Sequence, residues 1–531
     1  MILVALILIP AVGGLLAYAA AWRSVRAAKW IALAAMVFHL GLGVALWARC
    51  GDAGFVVDGQ SWLMELRRPW ITMLHAEFYL ALDGLSLLMI LLTGFLGVLS
   101  VAAAWRVQER VGFFLLNLLL TLAGVTGVFL ALDLLLFYAF WEVMLIPMFL
   151  LIGIYGNERR RYAAIKFFLF TQAGGLLMLL GILGLYFAHA QRTGEPTLNY
   201  RELLGLAIEP RLAFWLMLAF FAGLAVKLPA VPIHTWLADA HEQSPMNGSV
   251  DIAGLAIKVG AYGLLRFVVP LFPAAAMEFR TTAMVLGLAG ILYGGLLAMG
   301  QRDLKRFVAY SSVSHMGFVL LGVFAFNTVA YQGVVMIILA SGIGTGALLI
   351  VAELLFDRVG SRSMGQMGGL WASLPRLGGL GMFFALAAMG LPAMGSFVGE
   401  VLVLAGLAQE VMAGRLAMAY LVLAAGAFVV SVAYALLFVQ RVFQGPPAAW
   451  LENKPLPRLT PREVGMLSAA AVAMVWLGVL PNGVLKTSLP AALFLREHSP
   501  KQAPPAEGER SSQDANQPKP LARGNESEVR P

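Results

Sequence analysis

The sequence is poor in cysteine and in charged residues. Cys50 is the single cysteine of the 531 residues, so this chain alone forms no internal disulfide and builds no iron–sulfur cluster or cysteine-based zinc site. It also has no glycine-rich loop of the kind that binds phosphate groups. Charged residues make up only 12% of the chain, whereas 60% of the residues are hydrophobic. A water-soluble globular protein is therefore excluded, and any electron chemistry is expected outside this chain.

The hydrophobic residues form long continuous runs, which is the pattern of membrane-spanning helices. One crossing of the hydrocarbon core needs roughly 20 apolar residues, and these runs do not alternate residue by residue as the strands of a barrel do. We therefore predict an all-α integral membrane protein with about fourteen transmembrane helices. The runs lie at 2–21, 30–47, 78–105, 111–131, 134–154, 163–187, 211–241, 249–270, 281–299, 307–326, 329–352, 377–408, 416–438 and 464–481.

The basic residues behind the net charge of +8 are spread over the short loops between the runs. This distribution argues against nucleic-acid binding and for membrane orientation. The loops at one end of the runs are richer in these residues and contain Arg23, Arg26, Lys29, Arg106, Arg110, Arg159, Arg160, Arg161, Lys166, Arg302, Lys305, Arg306, Arg358, Arg362, Arg376, Arg441, Lys454, Arg458 and Arg462. The positive-inside rule predicts that this set faces the cytoplasm of a bacterium and that both termini lie on the periplasmic side of the inner membrane.

Two of the longest runs contain a proline within the same tripeptide. Leu228-Pro229-Ala230 interrupts the seventh run, and Leu391-Pro392-Ala393 interrupts the twelfth. Because proline removes a backbone donor and clashes with the preceding turn, each run is predicted to form a broken helix. The breaks are about five helices apart, so we predict two five-helix repeats of inverted topology, which are typical of transporters. The alternative is that the two proline kinks coincide by chance.

The predicted organisation has five parts. The proposed boundaries are 1–110 for three N-terminal helices, 111–270 for the first repeat, 281–438 for the second inverted repeat, 439–496 for a C-terminal helix and 497–531 for a polar tail. The tail has almost no large apolar residue, so it is predicted to be disordered.

A few ionisable residues fall in the middle of the runs. A charge near the centre of a membrane helix costs about 2.5–3.5 kcal/mol on insertion scales, so such residues need a functional reason. Glu142, Lys227, Lys258 and Glu400 are of this kind, and Lys227 and Glu400 stand beside the two proline breaks. A carboxylate near a buried lysine favours the charged amine, so a change in the distance between Glu142 and Lys227 can switch lysine protonation. The pattern predicts proton movement; a static ion pair joining two helices is the alternative.

Three histidines fall near these residues. His315 lies among serines in the tenth run, and it is the best candidate for a relay because imidazole both gives and accepts a proton near neutral pH. His234 and His241 follow the first proline break and fit either a relay or a structural role at the broken helix. Haem ligation by two histidines has no convincing pair on facing helices. Asp133, at the end of a run, is predicted to lie near the membrane surface.

Three stretches of the sequence resemble a known family. They are KLPAVPIHTWLADAHEQSPMNGS at 227–249, LAIKVGAYGLLR at 255–266 and RDLKRFVAYSSVSHMG at 302–317. The family is that of the antiporter-like subunits of respiratory complex I and of multisubunit cation/proton antiporters, and the similarity covers about 82–480. Within it, FWEVMLIP at 140–147, the glutamate at Glu400 and the lack of a long lateral helix favour one type of complex I subunit. Ala238 departs from the family, which often has proline there, and should soften a second kink.

The resemblance implies a role for each matched residue: an ion pair in one half-channel for Glu142 and Lys227, a central proton site for Lys258, a connecting relay for His315 and a terminal proton residue for Glu400. It implies a proton-translocating membrane-arm subunit of NADH:quinone oxidoreductase without a cofactor of its own. FMN, iron–sulfur clusters and quinone are then expected in partner subunits of the same complex. The main alternative is a subunit of a cation/proton antiporter, followed by a subunit of a membrane-bound hydrogenase. A free-standing solute transporter or a membrane scaffold explains the buried lysines and glutamates less well.

Overall fold

The computed structural model describes residues 1–53, 62–446 and 456–499, and most of these residues are helical. Among them, 13 helices are long and apolar enough to cross a membrane. The prediction of an all-α membrane protein is confirmed, whereas the number fourteen stays a prediction. The helix at the predicted run 307–326 is not among the 13, but it is 20 residues long and almost entirely buried. Most of the predicted polar tail, from residue 500 on, lies outside the described residues, as does Lys454.

The helices follow the predicted runs closely. The first group is α1 (Ile2–Ala21), α2 (Val25–Ala53), α3 (Gly84–Ala103), α4 (Val111–Leu130), α5 (Leu134–Tyr155), α6 (Arg160–Thr193) and the short α7 (Tyr200–Leu203). The second group is α8 (Pro210–Lys227), α9 (Thr235–Gln243), α10 (Met246–Asp251), α11 (Ile257–Gly263), α12 (Val269–Leu271), α13 (Pro273–Gly300) and α14 (Leu304–Val323). The third group is α15 (Thr328–Val359), α16 (Leu370–Ser373), α17 (Pro375–Ala388), α18 (Gly395–Met412), α19 (Met418–Phe443), α20 (Pro461–Val479) and α21 (Asn482–Glu497).

A β-hairpin precedes α3, and the sequence did not predict it. Strands β1 (Met64–Ile71) and β2 (Ala76–Leu82) pair antiparallel, with an irregularity in register near Pro69. The predicted helical run 78–105 is therefore wrong at its start, because residues 78–82 belong to β2. The helix begins only after Asp83, whose side chain accepts a hydrogen bond from Ser86 N and caps α3.

A helix is interrupted at each of the two predicted prolines. At the first break α8 ends at Lys227, and α9 starts at Thr235. At the second break α17 ends at Ala388, and α18 starts at Gly395. Within the second break, Gly390 and Ala393 have positive φ angles of 75° and 72°, so the backbone turns sharply there. The α9 helix continues through position 238 as a regular helix, as expected for alanine in place of proline.

The two predicted repeats share a local feature at their second helices. Asp133 caps α5 and Asp303 caps α14, and in each case the carboxylate accepts two backbone N–H bonds. Asp133 forms an isolated antiparallel bridge with Asn199 beyond α6, and Asp303 forms the same bridge with Ser363 beyond α15. This correspondence supports the division into two repeats, which stays a prediction. Asp133 lies at a helix end as expected, but it is fully buried there.

The C-terminal part contains more than the single predicted helix. Residues 439–496 include the end of α19, then α20 and α21. Pro481 stands between α20 and α21, where it disfavours a helical residue before it. The buried residues of α21 recur every three or four positions, so one face packs on the bundle, while the exposed face mixes polar residues such as Lys486 with Leu489 and Leu493. This pattern is too polar to be detected as a hydrophobic run.

Candidate functional site

Glu142 lies in the middle of α5 and is held by α6. It is half-buried, and its Oε1 accepts a hydrogen bond from Gln172 Nε2 at 3.4 Å. The two helices approach closely because residue 175 is glycine. A Cβ atom at Gly175 would lie 3.0 Å from Glu142 Oε1 and 3.2 Å from Trp141 Nε1. The carboxylate and the neighbouring indole therefore lie directly against the backbone of α6.

Lys227 is the last residue of α8, and its side chain is fully buried at the first break. Its Nζ lies 5.1 Å from the ring centroid of Trp141 and 5.7 Å from that of Phe167. Both rings attract a cation, and so does the negative end of the α8 dipole. Within the described residues, Lys227 Nζ has no hydrogen-bond partner. Among the described residues, the direct ion pair with Glu142 that the resemblance implies is therefore not formed.

Lys258 is fully buried in α11, between two short π-helical segments. These segments, Ile252–Ala256 and Leu264–Val268, widen the helix on both sides of the lysine, and such bulges are frequent at functional sites. The α11 helix packs against the end of α8, since a Cβ at Gly260 would lie 2.7 Å from Leu224 O. Lys258 and Lys227 are thus carried by neighbouring elements at the first break.

His315 and Glu400 are brought together by α14 and α18. His315 Nδ1 lies 3.3 Å from Glu400 Oε1, and the two side chains are 3% and 1% exposed. Gly390 in the second break lies against the other carboxylate oxygen, because a Cβ there would be 2.5 Å from Glu400 Oε2. The second break therefore holds an acid and an imidazole in contact.

His241 and His234 both lie on the second half of the first broken helix. His241 is fully buried, and it lies within electrostatic reach of Lys258 and Lys305. The His234 ring packs edge-on against the rings of Tyr293 and Tyr310, at centroid distances of 5.8 Å and 6.2 Å. The position of His241 between two lysines fits a relay, whereas the packing of His234 fits the structural role that the sequence left open.

A surface network of ion pairs fixes α9 to its neighbours. Asp239 pairs with Lys166 of α6 at 2.6 Å and with Arg306 of α14 at 2.8 Å. Glu242 pairs with the same Arg306 at 2.7 Å and with Arg159 at 3.1 Å. These basic residues belong to the set predicted to face the cytoplasm. The second half of the broken helix is thereby tied to both predicted repeats at that membrane face.

Sequence reasoning missed Asp251, a fully buried carboxyl at the end of α10. Its Oδ1 accepts a hydrogen bond from Ser100 Oγ of α3 at 2.6 Å. The signal was present, since the residue is an acid inside the predicted run 249–270. It was overlooked because it stands near the start of that run, where a charge is commonly exposed.

Several other buried charges form structural pairs. Arg266 binds Asp83 at 2.6 Å, and Glu410 binds Arg280 at 3.1 Å. The remaining buried pairs are Lys305 with Glu353 at 2.7 Å and Arg358 with Glu463 at 2.6 Å. Each carboxylate in these four pairs faces a cation, and so each pair has a sufficient structural explanation. The predicted site differs from these four pairs, because His315 and Glu400 make only a long contact and Lys227 Nζ has no hydrogen-bond partner among the described residues.

The predicted site is thus a group of two acidic and three basic side chains beside two broken helices. We call Glu142, Lys227, Lys258, His315 and Glu400 the central row. Four of them are buried, and both breaks leave polar backbone that is tolerated at membrane depth only beside water or protein. Such groups can pass a proton when their separation changes. Among residues 1–53, 62–446 and 456–499, no group of three histidine, cysteine or acidic side chains is placed to hold a metal ion.

Fold and site together define a class of protein: a multi-pass membrane protein with buried titratable groups at two helix breaks. Residues 131–427 match the family model described as NADH:quinone oxidoreductase/Mrp antiporter, transmembrane. The chain belongs to this family.

The named relatives indicate which type of family member this chain resembles most. The chain is 47% identical over 498 residues to NADH-quinone oxidoreductase subunit M of Pseudomonas aeruginosa, covering 92% of this chain and 96% of the relative. It is 44% identical over 495 residues to subunit M of Escherichia coli K12, with coverage of 92% and 96%. The family prediction is therefore confirmed, and the M type of complex I subunit is better supported than an antiporter subunit.

Solved structures share the fold. A chain of respiratory complex I from Thermus thermophilus with bound NADH superposes with a TM-score of 0.82 at 29% identity, covering 94% of this chain and 99% of that one. A chain of the Mrp complex from a Dietzia species superposes with a TM-score of 0.78 at 23% identity, with coverage of 93% and 97%. The second likeness is one of fold alone.

Proposed function

We propose that this chain is a proton-translocating subunit in the membrane arm of NADH:quinone oxidoreductase, and that the central row carries the protons. NADH oxidation and quinone reduction then take place in partner subunits, which hold FMN, iron–sulfur clusters and quinone. This chain binds none of these cofactors. Its direct partners are the neighbouring antiporter-like subunits and the other membrane and peripheral subunits of the complex.

The contact between His315 and Glu400 is the observation that carries the proposal. The two residues come from different helices, and neither side chain has another ionic partner within the described part of the chain. Both are almost fully buried, so water does not satisfy them from the membrane surface. An imidazole beside a carboxylate at a helix break can accept a proton on one side and release it on the other.

The first break supplies the second part of the mechanism. Lys227 faces aromatic rings, and Glu142 stands on the adjacent position of the helix that carries Trp141. Moving Glu142 towards Lys227 favours the charged amine, and moving it away favours release of the proton. Lys258 is carried by the element that packs on α8, so it is the next acceptor in the row. Conformational change in a partner subunit drives this motion.

Replacement of single row residues tests the proposal. Glu142→Ala and Lys258→Ala should abolish NADH-driven proton pumping in membrane vesicles, while electron transfer from NADH to an artificial acceptor such as ferricyanide stays normal. Glu278→Ala and Lys486→Ala are matched controls, because both side chains are exposed. Full pumping by either row variant contradicts the assigned roles.

The subunit and cofactor composition of the purified complex distinguishes this proposal from the alternative, a cation/proton antiporter subunit. The complex purified through this chain should contain flavin and iron–sulfur clusters, which an antiporter complex does not need. Purification only with small membrane subunits contradicts the complex I assignment.

Orientation is a separate part of the proposal. We place the chain in the bacterial inner membrane with both termini on the periplasmic side, because the basic residues are concentrated in one set of loops, and Arg159 and Arg306 of that set pair with the same Glu242. A reporter enzyme that is active only in the periplasm should be active when it is fused to the C-terminus. Activity of a cytoplasmic reporter at the same position contradicts this orientation.

A further inference from the structure

Asp251 differs from the structural carboxyls of this protein. Six carboxyl side chains are buried among the described residues: Asp83, Asp133, Asp251, Glu400, Glu410 and Glu463. Four of them have an arginine partner or two or more backbone N–H donors. The two exceptions are Glu400, in the central row, and Asp251, whose Oδ2 has no hydrogen-bond partner within the described residues. Asp251 therefore shares its environment with a row residue and not with the structural pairs.

The position of Asp251 lies between one membrane face and Lys258. The loop just before α10 is at the face that carries the basic set, since Ser244 O accepts a hydrogen bond from Lys305 and Gln243 binds Arg159 N. Asp251 is seven residues beyond Ser244 and seven residues before Lys258. At about 1.5 Å per helical residue, each interval is roughly 10 Å. Asp251 is thus about halfway between that face and the central lysine.

The helical segment between Asp251 and Lys258 is suited to a proton path between the two side chains. Both side chains are carried by one continuous helical stretch, with Asp251 at the end of α10 and Lys258 in α11. The intervening segment Ile252–Ala256 is π-helical, and such segments inside helices are frequent at functional sites. The other oxygen of the carboxyl, Asp251 Oδ1, accepts a hydrogen bond from the Ser100 hydroxyl on α3. The free oxygen of the carboxyl remains available to a proton.

We propose that Asp251 is a further proton-carrying residue, on the path by which protons reach Lys258 from the face that carries Arg159 and Lys305. Asp251 Oδ2 accepts a proton from water on that side, and the neutral carboxyl passes it through water to the uncharged Lys258 amine. The carboxylate that is left accepts the next proton. Ser100 positions the carboxyl through Oδ1. This inference rests on the proposed function, since it names the supply route to a row residue.

Asp251→Asn tests the inference because asparagine has the same shape and can still accept the Ser100 hydrogen bond. A purely structural role therefore tolerates the change, whereas a proton carrier does not. In membrane vesicles that contain the whole complex, pumping per complex should fall by roughly tenfold or more, as when an acid–base group is lost. NADH:ferricyanide activity, which measures assembled complex, should stay normal. Asp251→Glu keeps the carboxyl and should restore most of the pumping.

Two further variants complete the test. Ser100→Ala should give an intermediate loss, because the carboxyl stays but loses its positioning bond. Thr93→Val is the matched control on α3, since Thr93 bonds only to Met89 O of its own helix, and it should pump normally. Normal pumping by Asp251→Asn, while Lys258→Ala abolishes it, overturns this inference alone. Normal pumping by both overturns the proposed function as well. Failure of Asp251→Asn to assemble also overturns the inference, because packing alone should accept asparagine.

Discussion

Gly390→Ala is the substitution that tests the second break most directly. Gly390 has a φ of 75°, and its missing side chain leaves space for Glu400. An added Cβ would lie 2.5 Å from Glu400 Oε2 and 3.0 Å from a ring carbon of Phe428. The carboxylate is the softer of the two neighbours, so it should move. The substitution thus displaces Glu400 without changing any titratable group.

The expected magnitude has a stability part and a functional part. Alanine at a left-handed φ costs about 1–2 kcal/mol of stability. To reach an ordinary contact of about 3.4 Å, Glu400 Oε2 must shift by about 1 Å. If the 3.3 Å separation from His315 grows by that amount, the attraction between the charged forms falls from about 5 to about 4 kcal/mol at an effective dielectric constant of ~20. A loss of about 1 kcal/mol changes a proton-transfer equilibrium by roughly fivefold.

The assay is NADH-driven proton pumping in membrane vesicles, with NADH:ferricyanide activity as the measure of assembled complex. Two control alanine variants separate the effect of backbone strain from the effect of displacing the Glu400 carboxylate. Gly414→Ala carries the backbone strain alone, because its φ is 69° and nothing lies within 4 Å of the added Cβ. Gly379→Ala carries neither strain nor contact, since it is helical and also faces open space. Only Gly390→Ala should reduce pumping by several-fold.

Equal pumping by Gly390→Ala and Gly414→Ala would refute the reasoning. It would mean that the position of the Glu400 carboxylate relative to His315 does not limit proton transfer. A reduced level of assembled complex does not mimic the effect, because pumping is expressed per unit of NADH:ferricyanide activity.

The packing around the bundle gives two further predictions. Gly478→Ala should destabilise the solubilised complex by about 1–3 kcal/mol, because its Cβ would collide with the backbone of Ala393 in the second break; Gly465→Ala, which faces open space on the same helix, should leave the thermal midpoint unchanged. Asp83→Asn should lower the amount of chain in the membrane, since it leaves Arg266 buried without its counter-charge at a cost of about 3–5 kcal/mol. In immunoblots of membranes, the double variant with Arg266→Met should recover part of that loss.

The features that sequence predicted have local causes. A membrane helix needs a continuous apolar run, so the run boundaries agree with α1, α4 and α5 within one residue. Proline removes a backbone donor and disfavours the helix interior, so both breaks could be predicted from Pro229 and Pro392, although α1 and α5 continue through Pro10 and Pro147. Buried charge is costly at any position in a membrane, so the central row was apparent without knowledge of its contacts.

The features that sequence did not predict depend on contacts between distant segments. The rings that surround Lys227 come from α5 and α6, and nothing in the sequence near residue 227 indicates them. The role proposed for Asp251 depends on its Oδ2 atom, which has no hydrogen-bond partner among the described residues, and only the packing of α3 against α10 reveals this. The β-hairpin was missed because its second strand is as apolar as the helix that follows it.

The two breaks differ in a way that constrains how the row can work. At the first break Lys227 Nζ lies near the Trp141 ring and has no hydrogen-bond partner among the described residues, whereas at the second break His315 and Glu400 are in contact. A rearrangement at the first break can therefore create an acid–base contact, whereas a rearrangement at the second break can only keep or lose the contact that is already there.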